Sequence, residues 1–382
     1  MDYTASYHFL KKAFRQDSAK LLRTANGCSI EQYTFHSPPP LSMKGLNIEN
    51  HFPADFHLQD DHQISENCTF TYPVFTPEGQ HSFSNALILL HGLNERNWTK
   101  YLPWAQKLAE NLHRPVILFP ISFHMNRSPS DWSNPRLMSA MLPGTRLRNH
   151  RNHSSTFVNL ALSLRLSLQP LRFFTSGSQS ARDLEILINA IQTGQHPLFE
   201  KGAHVDFFAY SIGAFLAQIM MLTYGESMLS DSRLFMFCGG APFSSMNGVS
   251  KLIMDEEAFL RLRFFYLHQY EREIRSKGSF SNLVQSQPAS GAFRAMLDAS
   301  ILSEWRKDRF HKMENRIKAI ALKRDKVIPP AGIAELLNSK QLQVIDYASD
   351  YTHENPFPLT GNQDLVNYHF DMIFDSAIAF LK

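Results

Sequence analysis

Apolar runs along the chain alternate with segments of helical spacing, and this alternation predicts a mostly parallel β-sheet covered by helices. The run 86–90 is continuously apolar, which is typical of a strand buried on both faces. Predicted strands lie at 68–75, 86–90, 116–120, 205–210, 233–238, 317–322 and 341–345, and predicted helices at 102–112, 181–191 and 365–381. We therefore expect an α/β fold with helices on both faces of the sheet.

The first 64 residues depart from this alternation and predict an N-terminal extension before a main domain at 65–382. Residues 7–22 have the spacing of an amphipathic helix, and a proline-rich stretch follows at 38–40. The first strand of the main domain contains Pro73, which cannot donate a ladder hydrogen bond. We therefore expect this strand to lie at the edge of the sheet.

Two segments, at about 122–178 and 243–312, are too long to be plain connections and predict helical cap or lid insertions. The first carries seven arginines, no lysine and a single acid, Asp131. These arginines could recognise carboxylate or phosphate groups with their planar guanidinium groups. The favoured interpretation is that they lie on the solvent-exposed surface of a helical lid. They are Arg127, Arg136, Arg146, Arg148, Arg151, Arg165 and Arg172. Aromatic side chains of the second insertion either pack over the core or line an acyl pocket.

Composition narrows the class of protein. The chain has 382 residues, of which 43% are hydrophobic and 19% charged, as in a globular protein, and its net charge of +3 gives no argument for nucleic-acid binding. Three cysteines without metal-ligand spacing favour a reducing compartment. Because no signal peptide or apolar span is visible, we expect a cytoplasmic location without a membrane span.

Cofactor and metal motifs are weak throughout the sequence. No phosphate-binding glycine loop and no dinucleotide fingerprint is present, so we expect no cofactor. His150 and His153 have a spacing compatible with metal ligation. No third ligand lies nearby and the surrounding segment is basic, which argues against a metal site.

Ser211 lies between a short apolar strand and an apolar helix, in the run Ala209-Tyr210-Ser211-Ile212-Gly213. This outline is typical of a nucleophile elbow, in which a strained turn exposes the serine hydroxyl at the end of a strand. The usual pattern is G-x-S-x-G, and Ala209 replaces its first glycine. Taken alone, the pattern more often marks a strand that ends in a polar turn.

Further candidate residues follow other predicted strands. His91-Gly92 follows the strand at 86–90, and the glycine allows a tight loop in which the Leu93 amide faces the same point as the Ile212 amide. Asp325 follows the strand at 317–322, and His353 lies in a polar loop after the last strand. Because carboxyl ends of parallel strands meet at one edge of a sheet, we expect these residues to lie close together.

In this order, the motifs resemble those of the α/β-hydrolase superfamily over about residues 65–382, with the two insertions as cap elements. The superfamily includes uncharacterised bacterial groups, and the motifs do not decide whether this chain belongs to one of them. It implies that Ser211 is a nucleophile, that His353 is the general base and that Asp325 orients the imidazole. It also implies that the amides of Leu93 and Ile212 form an oxyanion hole.

Two functional hypotheses follow from the sequence. The first is a serine hydrolase that cleaves an ester, a thioester or a related small acyl substrate, anionic if the arginine-rich insertion binds it, with acyl transfer as a variant. The second is a non-catalytic binding protein on the same fold, for which Ala209 leaves room. Hydrogen-bond distances between His353 and its two predicted partners discriminate between them.

Overall fold

The computed structural model describes residues 1–16, 21–24, 27–42, 60–148 and 153–382, and for 143–148 it describes the backbone alone. Its sheet has nine strands in the order β1-β2-β3-β5-β4-β6-β7-β8-β9. The strands are β1 (Leu22–Arg23), β2 (Cys28–His36), β3 (Thr69–Pro77), β4 (Phe83–Leu90), β5 (Val116–Leu118), β6 (Phe199–Tyr210), β7 (Leu234–Phe237), β8 (Ile317–Leu322) and β9 (Leu342–Ile345). Strands β4 to β9 pair in parallel, whereas β1, β2 and β3 pair antiparallel with their neighbours.

The helices fall into framework helices beside the sheet and helices within the two insertions. In chain order they are α1 (Tyr3–Ala13), α2 (Ser65–Cys68), α3 (Leu102–Leu112), α4 (Pro135–Arg148), α5 (Leu160–Leu168), α6 (Arg172–Gln192), α7 (Ile212–Tyr224), α8 (Glu256–Phe264), α9 (Tyr270–Arg275), α10 (Ser279–Gln285), α11 (Ser290–Ala295), α12 (Ser303–Lys312), α13 (Pro330–Ile333) and α14 (Gln363–Leu381). A π-helical stretch, Phe265–Gln269, joins α8 to α9. None of the described helices is both long and apolar enough to cross a membrane.

The core lies on both faces of the sheet, because successive side chains of each strand point to opposite sides. In β4, Ala86, Ile88 and Leu90 pack with α6 and α7, whereas Leu87 and Leu89 pack with α3 and α14. All five are fully buried. The predicted fold class is therefore confirmed: an α/β fold with a large, mostly parallel sheet and helices on both faces.

The predicted edge position of the strand containing Pro73 is wrong. Strand β2, which the sequence reading missed, pairs with β3 along its whole length, and Pro73 lies opposite Gln32. On the other side, β5 pairs with β3 only at Val74 and Phe75, so Pro73 is outside that ladder. The sheet tolerates the proline because the ladder between β3 and β5 does not reach Pro73, so the missing N–H removes no hydrogen bond from that ladder.

The N-terminal helix is shorter than predicted: α1 spans Tyr3–Ala13 rather than 7–22. Asp2 caps it, accepting a hydrogen bond from the Ala5 amide, and its buried face packs on α3 and α14. The N-terminal residues thus contribute a helix and two strands to the framework that carries the site.

Candidate active site

Ser211 occupies the turn between β6 and α7 with φ 57° and ψ −123°, a conformation that a residue with a side chain rarely adopts. Helix α7 begins at the next residue, Ile212, so the helix N-terminus points at the serine. Ser211 is 4% exposed. The turn therefore presents the hydroxyl within an enclosed site at the carboxyl end of a central strand.

Two glycines allow this turn to pack closely. A Cβ on Gly213 would lie 2.7 Å from the carbonyl oxygen of Leu90, and a Cβ on Gly239 would lie 2.4 Å from the Ala214 Cβ. Neither position has space for a side chain. Ala209 is fully buried within β6 and pairs with Met236, and Ser211 has its strained turn with alanine there.

Ser211, His353 and Asp325 are joined by hydrogen bonds. The Ser211 Oγ and the His353 Nε2 are 2.7 Å apart, and the His353 Nδ1 and the Asp325 Oδ2 are also 2.7 Å apart. Because a carboxylate only accepts, the Nδ1–H donates to Asp325, and the Nε2 accepts from the serine hydroxyl. This chain can move a proton from the serine to the imidazole while the carboxylate holds the ring.

The second oxygen of Asp325 is held by the loop after β8. Its Oδ1 accepts hydrogen bonds from the amides of Val327, at 2.9 Å, and Ile328, at 3.0 Å. The Cys238 thiol also lies against this carboxylate, and burial raises the pKa of Cys238 well above its ordinary value. Asp325 is therefore surrounded by donors on both oxygens, which fixes its orientation.

Tyr210 supports His353, a role that the sequence did not predict. Its hydroxyl donates to the His353 carbonyl oxygen, and its ring stacks on the imidazole at a centroid distance of 5.5 Å. Burial raises the pKa of Tyr210 well above its ordinary value, so the hydroxyl stays a donor. No sequence signal joins these positions, because they lie 143 residues apart.

The loop after β4 is held by buried polar groups. The His91 Nε2 accepts from the Ile121 amide at 2.9 Å, and its Nδ1–H donates to the Gly92 carbonyl at 2.8 Å. Burial lowers the pKa of His91 well below its ordinary value, which keeps this ring neutral. The Tyr101 hydroxyl accepts from the Gly92 amide. His91 therefore shapes the loop from within the core.

Leu93 and Ile212 line the same cavity as Ser211. Within the described part of the chain, no group accepts a hydrogen bond from either of their amides. Next to Leu93, the Asn94 side-chain amide donates to the Val158 and Leu252 carbonyls, one in each insertion. The sequence analysis did not single out Asn94, which connects the loop to both insertions.

Two adjoining cavities lie at this site. The first is lined by Ser211 and by apolar residues of the second insertion, including Phe243, Met254 and Phe259. The second and larger one extends under the first insertion. They share the lining residues Leu93, Phe173 and Ile212. Some aromatic residues of the second insertion therefore line a pocket, while others, such as Phe265, pack in the core.

The favoured interpretation of the arginine-rich insertion is wrong for three of its arginines. Arg127 is fully buried and bonds Asp183 at 2.7 Å, whereas Arg165 and Arg172 pair with Asp61 at 2.6 and 3.3 Å. Arg136 is exposed as expected. The side chains of Arg146 and Arg148, and all of His150 and Arg151, lie outside the described residues. No acidic partner is visible from the sequence because Asp61 and Asp183 belong to distant segments.

The described residues contain no group of three His, Cys, Asp or Glu side chains able to hold a metal ion. His153 is described, but its predicted companion His150 is not. The metal hypothesis therefore gains no support from the residues in view.

A family model described as "Family of unknown function (DUF6051)" matches residues 1–382. No curated protein matches the chain. Solved structures similar to it include an S-formylglutathione hydrolase from Agrobacterium tumefaciens, with 12% identity, 95% of this chain and 99% of that chain covered and a TM-score of 0.41. A thermostable esterase from Pseudomonas putida ECU1011 has 9% identity, coverages of 100% and 91% and a TM-score of 0.40. A peroxisomal alpha-beta-hydrolase from Saccharomyces cerevisiae has 14% identity, coverages of 93% and 90% and a TM-score of 0.39.

Proposed function

We propose that this chain, which belongs to the family of unknown function DUF6051, is a serine hydrolase that cleaves a carboxylic ester or a related small acyl substrate. The observation that carries the proposal is the continuous hydrogen-bonded chain from Ser211 through His353 to Asp325. It begins at a strained strand-to-helix turn, as in a nucleophile elbow, and Ser211 lines a cavity with apolar walls that can hold an acyl group.

In the proposed reaction, the Ser211 oxygen attacks the substrate carbonyl while the His353 Nε2 takes the hydroxyl proton. The Leu93 and Ile212 amides donate hydrogen bonds to the oxygen that becomes negative in the tetrahedral intermediate. The imidazolium then protonates the leaving alcohol, and an acyl-enzyme remains on Ser211. A water molecule, deprotonated by His353, releases the acid and restores the serine.

The distances weigh against the alternative of a non-catalytic binding protein. Both bonds of His353 are 2.7 Å long, well within the range for proton transfer. Acyl transfer to an alcohol uses the same residues, and it differs only in the acceptor that replaces water. We also propose that the two insertions form the cap of a domain at 65–382, because residues of both line the cavities at this site.

We also propose a cytoplasmic location for the enzyme. All three cysteines, Cys28, Cys68 and Cys238, are free thiols, as is usual in a reducing compartment. Fractionation of cells that express the chain tests this directly.

Labelling with a fluorophosphonate probe tests the proposed nucleophile. We expect the wild-type protein to be labelled, the Ser211→Ala variant to be unlabelled, and Ser227→Ala, which alters an exposed serine beyond the other end of α7, to be labelled like wild type. p-Nitrophenyl esters of increasing acyl length then identify the preferred chain. Labelling of Ser211→Ala at the wild-type level contradicts the proposal.

A further inference from the structure

The larger cavity beside Ser211 has apolar walls and one polar end. Its walls are made by side chains such as Leu166, Phe215, Leu216 and Phe293. Its polar end is formed by His124, Arg165 and Arg172 with serine hydroxyls of 122, 176 and 178. A cavity that served only to hold an apolar chain would not require buried charge at one end.

Arg165 lines this cavity and carries a donor without a partner among the described residues. Its side chain is 3% exposed, and its Nη2 donates to Asp61 at 2.6 Å. Its Nη1 is the buried donor that lacks a partner. The rings of Phe123 and Trp132 lie at 4.5 and 4.6 Å from the guanidinium carbon. The guanidinium is thus fixed in place with one donor left for a ligand.

Positive charge at this end exceeds the negative charge that faces it. Asp61 is shared by Arg165 and Arg172, and Asp60 acts on Arg165 without a direct ion pair. The neighbouring Arg96 bonds the neutral side chains of Asn94 and Ser128, and within the described part of the chain it makes no ion pair with a carboxylate. Arg127 is neutralised by Asp183. An anion is therefore the ligand that this end of the cavity lacks.

His124 completes the polar end as a neutral group. Its Nδ1–H donates to the Ser122 carbonyl at 2.9 Å, and burial lowers its pKa to about 4. Its buried Nε2 has no partner among the described residues, so it offers an acceptor to a ligand hydroxyl or water. It adds no positive charge, and recognition of an anion rests on the arginines.

We propose that the polar end of this cavity binds a carboxylate on the substrate of the hydrolase. This inference rests on the proposed function, because the cavity is continuous at Leu93, Phe173 and Ile212 with the one that contains Ser211. The substrate is then a half-ester: an ester at Ser211, an apolar linker along Leu166 and Phe215, and a carboxylate that accepts a hydrogen bond from the Arg165 Nη1. Esters without this charge bind less tightly because the buried donor stays unpaired.

Binding to the Ser211→Ala variant tests the proposal without requiring turnover. Calorimetric titrations compare monomethyl esters of α,ω-dicarboxylic acids of six to twelve carbons with the matching dimethyl esters, and acetate esters of ω-hydroxy acids with their methyl esters. These two sets place the carboxylate on the acyl and on the alcohol side. We expect at least one charged probe to bind about tenfold or more tightly than its uncharged partner.

Variants assign that preference to the arginines. Arg165→Lys retains the charge beside Asp61 but not the second donor, and Arg172→Gln removes the other cation, so each should reduce the preference for the charged probe several-fold. Arg136→Gln, an exposed arginine of the same insertion, is the matched control and should leave the preference unchanged. Circular dichroism and thermal unfolding identify any variant that fails to fold, in which case the other variant decides.

The outcomes separate this inference from the proposed function. Equal binding of charged and uncharged probes in both sets overturns the carboxylate site, even if Ser211 reacts with a fluorophosphonate. A preference that survives both Arg165→Lys and Arg172→Gln overturns it as well. Carboxylate binding by a protein whose Ser211 does not react supports the site and instead contradicts the hydrolase.

Discussion

At the scale of single residues, Ser211 is held in a conformation that costs on the order of 1–3 kcal/mol relative to ordinary backbone. The surrounding structure imposes it: β6 ends at Tyr210, α7 begins at Ile212, and Gly213 lies against the Leu90 backbone. The strain therefore belongs to the turn that exposes the hydroxyl, and substitutions around it should separate stability from activity.

Replacing Asp325 with asparagine should lower kcat by about 10⁴-fold while the protein stays folded. The amide oxygen can still accept from Val327 and Ile328, but the amide nitrogen would face the His353 Nδ1 as a donor. The imidazole must then present Nδ1 as an acceptor, so its Nε2 carries the proton and cannot accept one from Ser211. Ester hydrolysis and the unfolding midpoint in urea, measured on the same preparation, check both parts.

Restoring the usual glycine in the elbow, Ala209→Gly, should leave kcat within about twofold and destabilise the fold by about 1–2 kcal/mol. The Ala209 methyl is buried in the core, and glycine adds backbone entropy to the unfolded state. Gly213→Ala is the contrasting variant, because its Cβ would meet the Leu90 and His91 carbonyl oxygens at 2.7 and 2.8 Å. A large rise in kcat for Ala209→Gly would show that the alanine impairs the turn.

At the scale of elements, the first insertion is fastened to the framework by the buried pair of Arg127 and Asp183. Both side chains are fully buried, and Arg127 also donates to Asn67 and to the Pro120 carbonyl. The pair thus joins the short segment after β5 to α6.

Removing one member of this pair, as in Arg127→Met, should destabilise the protein by about 3–5 kcal/mol, because Asp183 would remain buried without a counter-charge. Arg136→Met, in the same insertion but exposed, should change the free energy of unfolding by less than about 0.5 kcal/mol. Urea denaturation of both variants measures the difference. Similar losses for the two variants would contradict a structural role for the buried pair.

The parallel half of the sheet was predictable because most of its strands contain apolar runs, and the candidate residues were predictable because each follows a predicted strand. Strand β2 was not predictable in this way: its exposed side chains break the apolar pattern, and its pairing with β3 defines it. The same limit applies to Arg165 and Asp61, which meet across 104 residues. Local pattern predicts elements, but contacts between distant polar groups depend on the assembled fold.

At the scale of the whole molecule, buried histidines make stability depend on pH. Burial lowers the pKa of His124 and of His196 to about 4 and that of His91 well below its ordinary value. In the unfolded chain each titrates near 6.5. Below that pH the unfolded state binds more protons than the folded state. These histidines therefore do not reduce the free energy of unfolding above about pH 6.5, and they reduce it progressively as the pH drops toward 4.

Between pH 6.5 and 5, each of these three histidines should remove roughly 1.5 kcal/mol from the free energy of unfolding. His196 offers the test, because it lies before β6, bonded to the Tyr72 hydroxyl at 3.0 Å and far along the strand from Ser211. In His196→Gln the free energy of unfolding should fall less between these pH values, by about the contribution of one histidine, whatever the variant's stability at pH 7. Ester hydrolysis by the variant at pH 7 should match that of wild type. Urea unfolding at pH 5, 5.5, 6, 6.5 and 7 measures the slopes, and parallel curves for the two proteins would exclude His196 as a source of the pH dependence.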